Sequence, residues 1–265
     1  MKCSLIITTY NWPEALELSL NSALNQTILP NEIIVADDGS TNDTKKLIQK
    51  FQKKSSINII HSWQDDKGFR ASRSRNLASI KSSYEYLIYV DGDMILDKNF
   101  IKDHIQNAKK NYYLQGSRVL LSKEYTNNII YSKEFIKPSI FSSNSKNKMN
   151  EIYSKILSFI YSLFSTNSQK GIRSCNFSFY KNDLLKVNGF NEDFITWGRE
   201  DSELISRMYN IGIKRKNIKF QAIQYHLFHK EGSSNSLNDS ILENVIKNNI
   251  KFCKNGINKH LSYSE

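Results

Sequence analysis

Short apolar runs alternate with segments of helical period through the first half of the chain. Leu5-Ile6-Ile7 leads into Thr8-Thr9-Tyr10-Asn11. Pro13 follows, where a helix can open without losing a hydrogen bond. Leu16, Leu20, Ala23 and Leu24 then recur at helical spacing. Ile33-Ile34-Val35 predicts a second strand that ends at Asp37-Asp38-Gly39-Ser40. Ser40 or Thr41 is placed to cap the next helix, which runs to about Phe51. Strands over 57–60 and 86–90 and a helix over 71–80 continue the alternation. Strands that are apolar throughout belong to a sheet covered on both faces, which is the parallel arrangement. Ligands of such sheets lie beyond the carboxyl ends of the strands. The clusters Thr8-Thr9-Tyr10-Asn11, Asp37-Asp38 and Asp91-Gly92-Asp93 all stand at those ends.

The pattern changes over 122–170, which is rich in Ser, Asn and Lys. Within it, Ile156, Phe159, Ile160 and Phe164 follow a helical period, predicting a core-packed helix over 152–164. A bilayer-facing amphipathic segment flanked by Lys148, Lys155 and Lys170 is the second reading. Order returns after Cys175 with a strand over 176–180, a short helix, and a helix over 200–210 that buries Leu204, Ile205 and Met208. A strand over 218–225 precedes His226 and His229, and 237–253 reads as a helix. The regions are therefore 1–121, nucleotide-binding in character; 122–170, variable; 171–235, a second block of motifs; and 236–265, a helix and tail.

Composition narrows the classes. The 265 residues include 37 Lys and Arg against 26 Asp and Glu, a net charge of +11, which favours an anionic partner. The three cysteines are far apart and odd in number, so neither a disulfide framework nor a zinc knuckle is expected. No apolar run approaches the ~20 residues of a membrane span, and the start is apolar too briefly for a signal peptide. The expected location is the cytoplasm, with peripheral contact to the anionic inner face of the cell membrane.

Five clusters carry chemistry. In Asp91-Gly92-Asp93 two carboxylates flank one small residue, an oxygen-donor pattern for Mg²⁺ or Mn²⁺ bridging a diphosphate; a plain Asp-Gly turn is the alternative. A carboxylate of Asp37-Asp38 can accept from uracil N3–H or a ribose hydroxyl, or simply cap a helix. Arg70, Arg73 and Arg75 can neutralise phosphates, although their spacing prevents all three from facing one way. In Trp197-Gly198-Arg199-Glu200-Asp201 the acidic pair opens a helix, where the dipole favours ionised carboxylates; an ionised Asp201 can act as a general base. On a strand His226 and His229 would face opposite sides, so at most one points at a metal unless the segment has turned into a loop.

In this order the motifs resemble glycosyltransferase family 2 of the GT-A fold, a mixed, mainly parallel α/β sheet with helices on both faces and an acceptor-side C-terminal extension. Trp197-Gly198-Arg199-Glu200-Asp201 with His226 and His229 is similar to the galactosyltransferase-like region of animal beta-galactosyltransferases and chondroitin-type polymerases. The resemblance implies that Thr8 and Asp38 hold the uracil, with Tyr10 and Asp37 nearby. Arg70 would approach the nucleotide, Arg75 and Asn76 would shape its loop, and Asp91 beside Gly92 would touch ribose. Asp93 and His229, or less favourably His226, would bind Mn²⁺ or Mg²⁺. Trp197, Gly198 and Glu200 would fix the acceptor, and Asp201 would be the base. The implied activity is inverting transfer of a hexose or N-acetylhexosamine from a UDP-sugar to a glycan or lipid-linked acceptor. Two rivals remain from the residues. A sugar nucleotidyltransferase would want a glycine-rich loop after the first strand, which this chain lacks. A basic nucleic-acid-binding module fits the charge but has no recognisable motif.

Overall fold

The computed structural model describes residues 1–139, 141–230, 232 and 236–263. The expected alternation is realised as β1 (Cys3–Thr9), α1 (Pro13–Leu24), β2 (Glu32–Asp37), α2 (Asn42–Lys54), β3 (Asn58–Trp63), α3 (Ala71–Lys81) and β4 (Tyr86–Asp91). Next come β5 (Met94–Leu96), α4 (Phe100–Asn107), β6 (Tyr112–Gln115), β7 (Val119–Leu121), α5 (Lys123–Ser132), β8 (Ser145–Lys146) and α6 (Lys155–Leu163). The chain continues with β9 (Phe177–Tyr180), α7 (Lys181–Lys186), α8 (Glu200–Asn210), β10 (Lys214–Asn217), β11 (Gln224–His226) and α9 (Ser236–Lys247). The bounds of the sequence regions at 235 and 265 lie outside the described residues.

Seven strands form the main sheet in the order β10-β6-β9-β4-β1-β2-β3. β1, β2, β3 and β4 pair in parallel, and β9 alone runs against its neighbours β4 and β6. A smaller sheet, β5-β11-β7-β8, stands beside it. Leu5, Ile7, Ile33, Val35, Ile88 and Val90 face one way, toward Leu16 and Leu20 of α1 and Ile48 of α2. Ile6, Ile34, Leu87 and Tyr89 face the other way, toward Ala78 of α3 and Leu204, Ile205 and Met208 of α8. Both sheet faces are thus covered, which is why the strands carry no polar alternation. The register sets Thr8 beside both Ala36 and Asp91, so the polar ends of β1, β2 and β4 finish level.

Several local expectations change. Thr41 holds the N-cap position of α2, but its side chain makes no capping bond. Ser40 is occupied elsewhere: its Oγ accepts the Asn11 N–H, and its own N–H donates to Asp37. No strand spans 218–225. Phe220 and Ala222 adopt φ of 68° and 46°, a left-handed backbone that breaks strand pairing. The Asp103 carboxylate holds this bend by accepting from the Ala222 N–H and the Gln221 amide. The helix expected over 237–253 stops at Lys247, and Asn249 turns left-handed just beyond. The helix over 152–164 forms as α6 but is not core-packed: Ser158 is its buried side chain, and the apolar residues point outward.

α8 is anchored from below. The fully buried Arg207 pairs with Glu203 at 2.7 Å and donates to the carbonyls of Val187 and Gly189. This pins the helix to the 187–189 turn and aims its N-terminus at the ends of the parallel strands. Among the described residues no helix is long and apolar enough to cross a membrane.

Candidate active site

A cleft of about 840 Å³ opens at the carboxyl ends of β1, β2 and β4. Thr8, Tyr10, Asp38, Arg75, Asp91, Gly92 and Asp93 line it from the N-terminal half. Trp197, Gly198, Glu200, Asp201, His226 and His229 line it from the C-terminal half. Its volume falls within the ~300–1,000 Å³ typical of small-ligand sites.

Arg75 joins the two halves. From α3 its Nε donates to Thr8 Oγ1 at 3.1 Å, Nη1 to Glu200 Oε1 at 3.1 Å and Nη2 to Asp91 Oδ1 at 3.3 Å. Its guanidinium also lies 5.5 Å from the Phe190 ring centroid. A buried arginine is tolerable only with such a full set of acceptors. Burial raises the Asp91 carboxyl above its ordinary value, and Arg75 opposes that rise.

Asp93, His226 and His229 converge. The His229 and His226 Nε2 atoms lie 3.0 and 3.3 Å from Asp93 Oδ2 and 3.1 Å from each other. Among the described residues this is the group of His, Cys, Asp and Glu side chains whose donor atoms, all within 4.8 Å of one another, could hold a metal ion. Both histidines face inward because the segment has turned into a loop by His229. β11 ends at His226, and the Leu227 N–H donates to the Asp93 carbonyl at 3.0 Å. The chain then leaves the strand, so the strand rule for facing no longer applies. Burial opposes charge on Asp93, but hydrogen bonds from both histidines hold its carboxyl far below the usual range. The same bond to Asp93 pushes His229 up to about 9.

The acidic pair sits where α8 begins. Gly198 and Arg199 precede it with φ of 99° and 75°, a left-handed pair that turns the chain sharply into the helix. Arg199 leans away onto Asp239, at 2.6 Å. Asp201 accepts the N–H groups of Ser174 at 3.1 Å and Ser202 at 2.6 Å. The helix dipole does not dominate here. Burial, and then the charge of Glu200, push Asp201 up to about 6 despite Arg75 and those two N–H groups. Asp201 is therefore still largely ionised at neutral pH.

Three expected donor-side residues are not among those lining the cleft. Asp37 is fully buried, with Oδ2 2.7 Å from His61 Nε2 and Oδ1 accepting the Ser40 N–H. Asn76 is buried on the far side of α3, where it holds the Phe190 backbone and Glu192. The Arg70 side chain donates to the Asp65 carbonyl, while its backbone N–H donates to Asp38 Oδ2 at 2.8 Å. Arg73 donates to Gln64. Conversely, Trp12, Arg118, Arg173, Ser174 and Cys175 line the cleft without having stood out. Trp12 lies just past the end of β1, while the others lie in segments with no clear period, and folding brings them to the strand ends.

Comparison with known proteins agrees with this architecture. Residues 4–187 match the model of glycosyl transferase family 2. Residues 155–230 match one described as the N-terminal domain of galactosyltransferase. The chain is 28% identical over 243 residues to the chondroitin synthase of Escherichia coli, covering 84% of this chain and 34% of that one. It is 26% identical to the UDP-Glc:alpha-D-GlcNAc-diphosphoundecaprenol beta-1,3-glucosyltransferase of Escherichia coli, over 92% of this chain and 85% of that one. It spans 23% to 34% of the length of the chondroitin and hyaluronan synthases it matches. In fold it resembles S. aureus TarS 1-349 in complex with UDP-GlcNAc, with a TM-score of 0.66 at 18% identity, over 94% of this chain and 66% of that one. This is the GT-A architecture. A single family match takes in β1 through α7, well over half of the sequence, and on that ground the chain belongs to glycosyl transferase family 2.

Proposed function

We propose that this chain is an inverting, metal-dependent glycosyltransferase. It moves a hexose or N-acetylhexosamine from a UDP-sugar to a hydroxyl of a glycan or lipid-linked acceptor, in surface polysaccharide or lipooligosaccharide assembly at the inner face of the cell membrane. The observation that carries this reading is one cleft lined both by Asp93, His226 and His229 and by Asp201, in a chain of this family. The relative named for a UDP-Glc donor and a diphosphoundecaprenol acceptor supports the donor and acceptor classes.

The metal site passes a test of fit. Asp93 Oδ1 is buried without a hydrogen-bond partner among the described residues. Two imidazole nitrogens point at the same carboxylate, a crowding that a cation relieves. One carboxylate and two imidazoles suit Mn²⁺, with Mg²⁺ the harder alternative. When bound, the ion supplies Lewis-acid stabilisation of charge on the leaving diphosphate.

The residues do the rest. Thr8, Tyr10, Asp38 and Asp91 bind the nucleoside, and Arg75 holds Asp91 and Glu200 in place. Glu200, Gly198 and the ring of Trp197 position the acceptor. Asp201 removes the hydroxyl proton as that oxygen attacks the anomeric carbon. The bond from that carbon to the diphosphate breaks, and its electron pair departs with UDP. Attack opposite the leaving group inverts the centre and needs no enzyme nucleophile.

A panel of UDP-sugars with Mn²⁺, followed across pH, tests the reading. One donor is expected to be consumed. Because Asp201 works in its ionised form and its pKa is about 6, the rate should be level above that pH and fall about tenfold per unit below it. Consumption of no UDP-sugar in the panel would reject the activity. A rate flat down to pH 4 would reject Asp201 as base.

A further inference from the structure

We propose that α6 and the basic strand edge beside it form a docking surface for an anionic bilayer. α6 is built inside out. Ile156, Phe159, Ile160, Leu163 and Phe164 fall at i, i+3, i+4, i+7 and i+8, a single helical stripe. That stripe is 73, 65, 47, 66 and 77% exposed, whereas Ser158 on the opposite face is 2% exposed. The helix is nonetheless held in place. The Ser154 hydroxyl caps it, and the Ser154 N–H donates to the Phe220 carbonyl at 2.9 Å. Just past its end, Ser165 Oγ accepts the Asn217 N–H, and Tyr161 stands edge-on to Phe220. An apolar stripe fixed outward in this way is a binding surface rather than part of the core.

Charge selects the occupant. From residue 152 to 182 and from 204 to 230 the sequence contains no Asp or Glu. β10, against which α6 packs, reads Lys214-Arg215-Lys216-Asn217. The Lys219 ammonium lies over the Tyr161 and Phe220 rings, 5.4 and 5.2 Å from their centroids. Arg215 donates to the carbonyls of Ser168 and Lys170, so its charge stays beside α6 uncancelled by a carboxylate. Lys155 opens the helix. A second copy of this chain would set one basic face against another. An anionic lipid surface supplies both an apolar layer for the stripe and counter-charge for the lysines. Nine residues rise roughly 13 Å against a hydrocarbon core of ~30 Å, so α6 lies in the interface rather than crossing it.

Residues 164–171 connect α6 to Ile172, Arg173 and Ser174, which line the cleft. Docking would thus bring the cleft to the membrane surface, where lipid-linked sugars present their headgroups; this consequence alone rests on the proposed transferase activity.

Co-sedimentation of the full chain with vesicles tests the surface without any sugar donor, so its outcome is independent of the transferase reading. Binding is expected to phosphatidylglycerol–phosphatidylethanolamine vesicles at low salt and not to phosphatidylcholine, weakening as salt rises. Combining Phe159→Ser with Leu163→Ser should weaken partitioning on the order of 100-fold. The thermal melt and vesicle-free UDP-sugar turnover should not change, because both side chains are exposed. Combining Lys155→Glu with Lys219→Glu should weaken binding through charge alone. Equal binding by wild type and both variants, or no binding to anionic vesicles, overturns the proposal. So does a wild-type dimer that the serine variant splits while vesicles are ignored, since a second copy would then cover the stripe.

Discussion

Replacing Asp201 by Asn is expected to lower turnover by at least ~100-fold while UDP still binds, since a positioned base contributes ~100- to 10,000-fold. The substitution is close to isosteric. Ser174 and Ser202 donate to different oxygens of Asp201, so an asparagine carbonyl keeps only one of these two bonds, and a thermal melt checks that the start of α8 keeps its shape. What is lost is the negative charge and the ability to take a proton. Steady-state transfer together with calorimetric UDP titration separates these effects. Retained turnover would assign the base elsewhere, and lost UDP binding would make Asp201 a donor-side residue. The acid limb of the pH profile should vanish in the same variant. Asp201 is raised to about 6 by burial and by Glu200, and an amide has nothing to titrate there.

Replacing Asp93 by Ala should have an effect of similar or larger size through a different route. Lewis-acid stabilisation is worth several kcal/mol, so a loss on the order of 1,000-fold is expected. Wild type stripped with EDTA should recover on adding Mn²⁺, and the variant should not. The variant keeps both histidines but loses the carboxylate that both of them face. The fold should survive, because the backbone bond that continues the β11–β5 pairing to Leu227 uses the Asp93 carbonyl rather than its side chain. Unimpaired transfer in EDTA, or recovery of the variant with Mn²⁺, would contradict the metal assignment.

How far these residues were readable before folding depends on the range of the interactions that place them. Asp91 and Asp93 were legible because a fully apolar strand ends there, and burial on both faces of a sheet imprints directly on composition. Glu200 and Asp201 were legible because a helix start has a local signature. Arg75 was recognisable as a cation but not as the bridge of the site. Its acceptors lie 16, 67 and 125 residues away, and nothing local distinguishes it from Arg70 or Arg73. Asn76 was expected beside Arg75 at the nucleotide loop but is turned to the Phe190 backbone and Glu192, because motif adjacency does not report which way successive helical residues point. For His226 and His229 the strand rule was sound, but it applied only as far as the strand continued. α6 shows the deepest limit. Periodicity reveals that a helix has an apolar stripe, but not whether that stripe faces the core or the outside.

We propose that a cation and an ionised aspartate act from opposite walls of one cleft on one sugar. A crystal grown with UDP and Mn²⁺ would show both at once. An anomalous manganese peak is expected bounded by Asp93, His226, His229 and the diphosphate, with the Asp201 carboxylate facing that diphosphate across open space. A peak elsewhere, or UDP seated where Asp201 cannot face it, would rule this arrangement out.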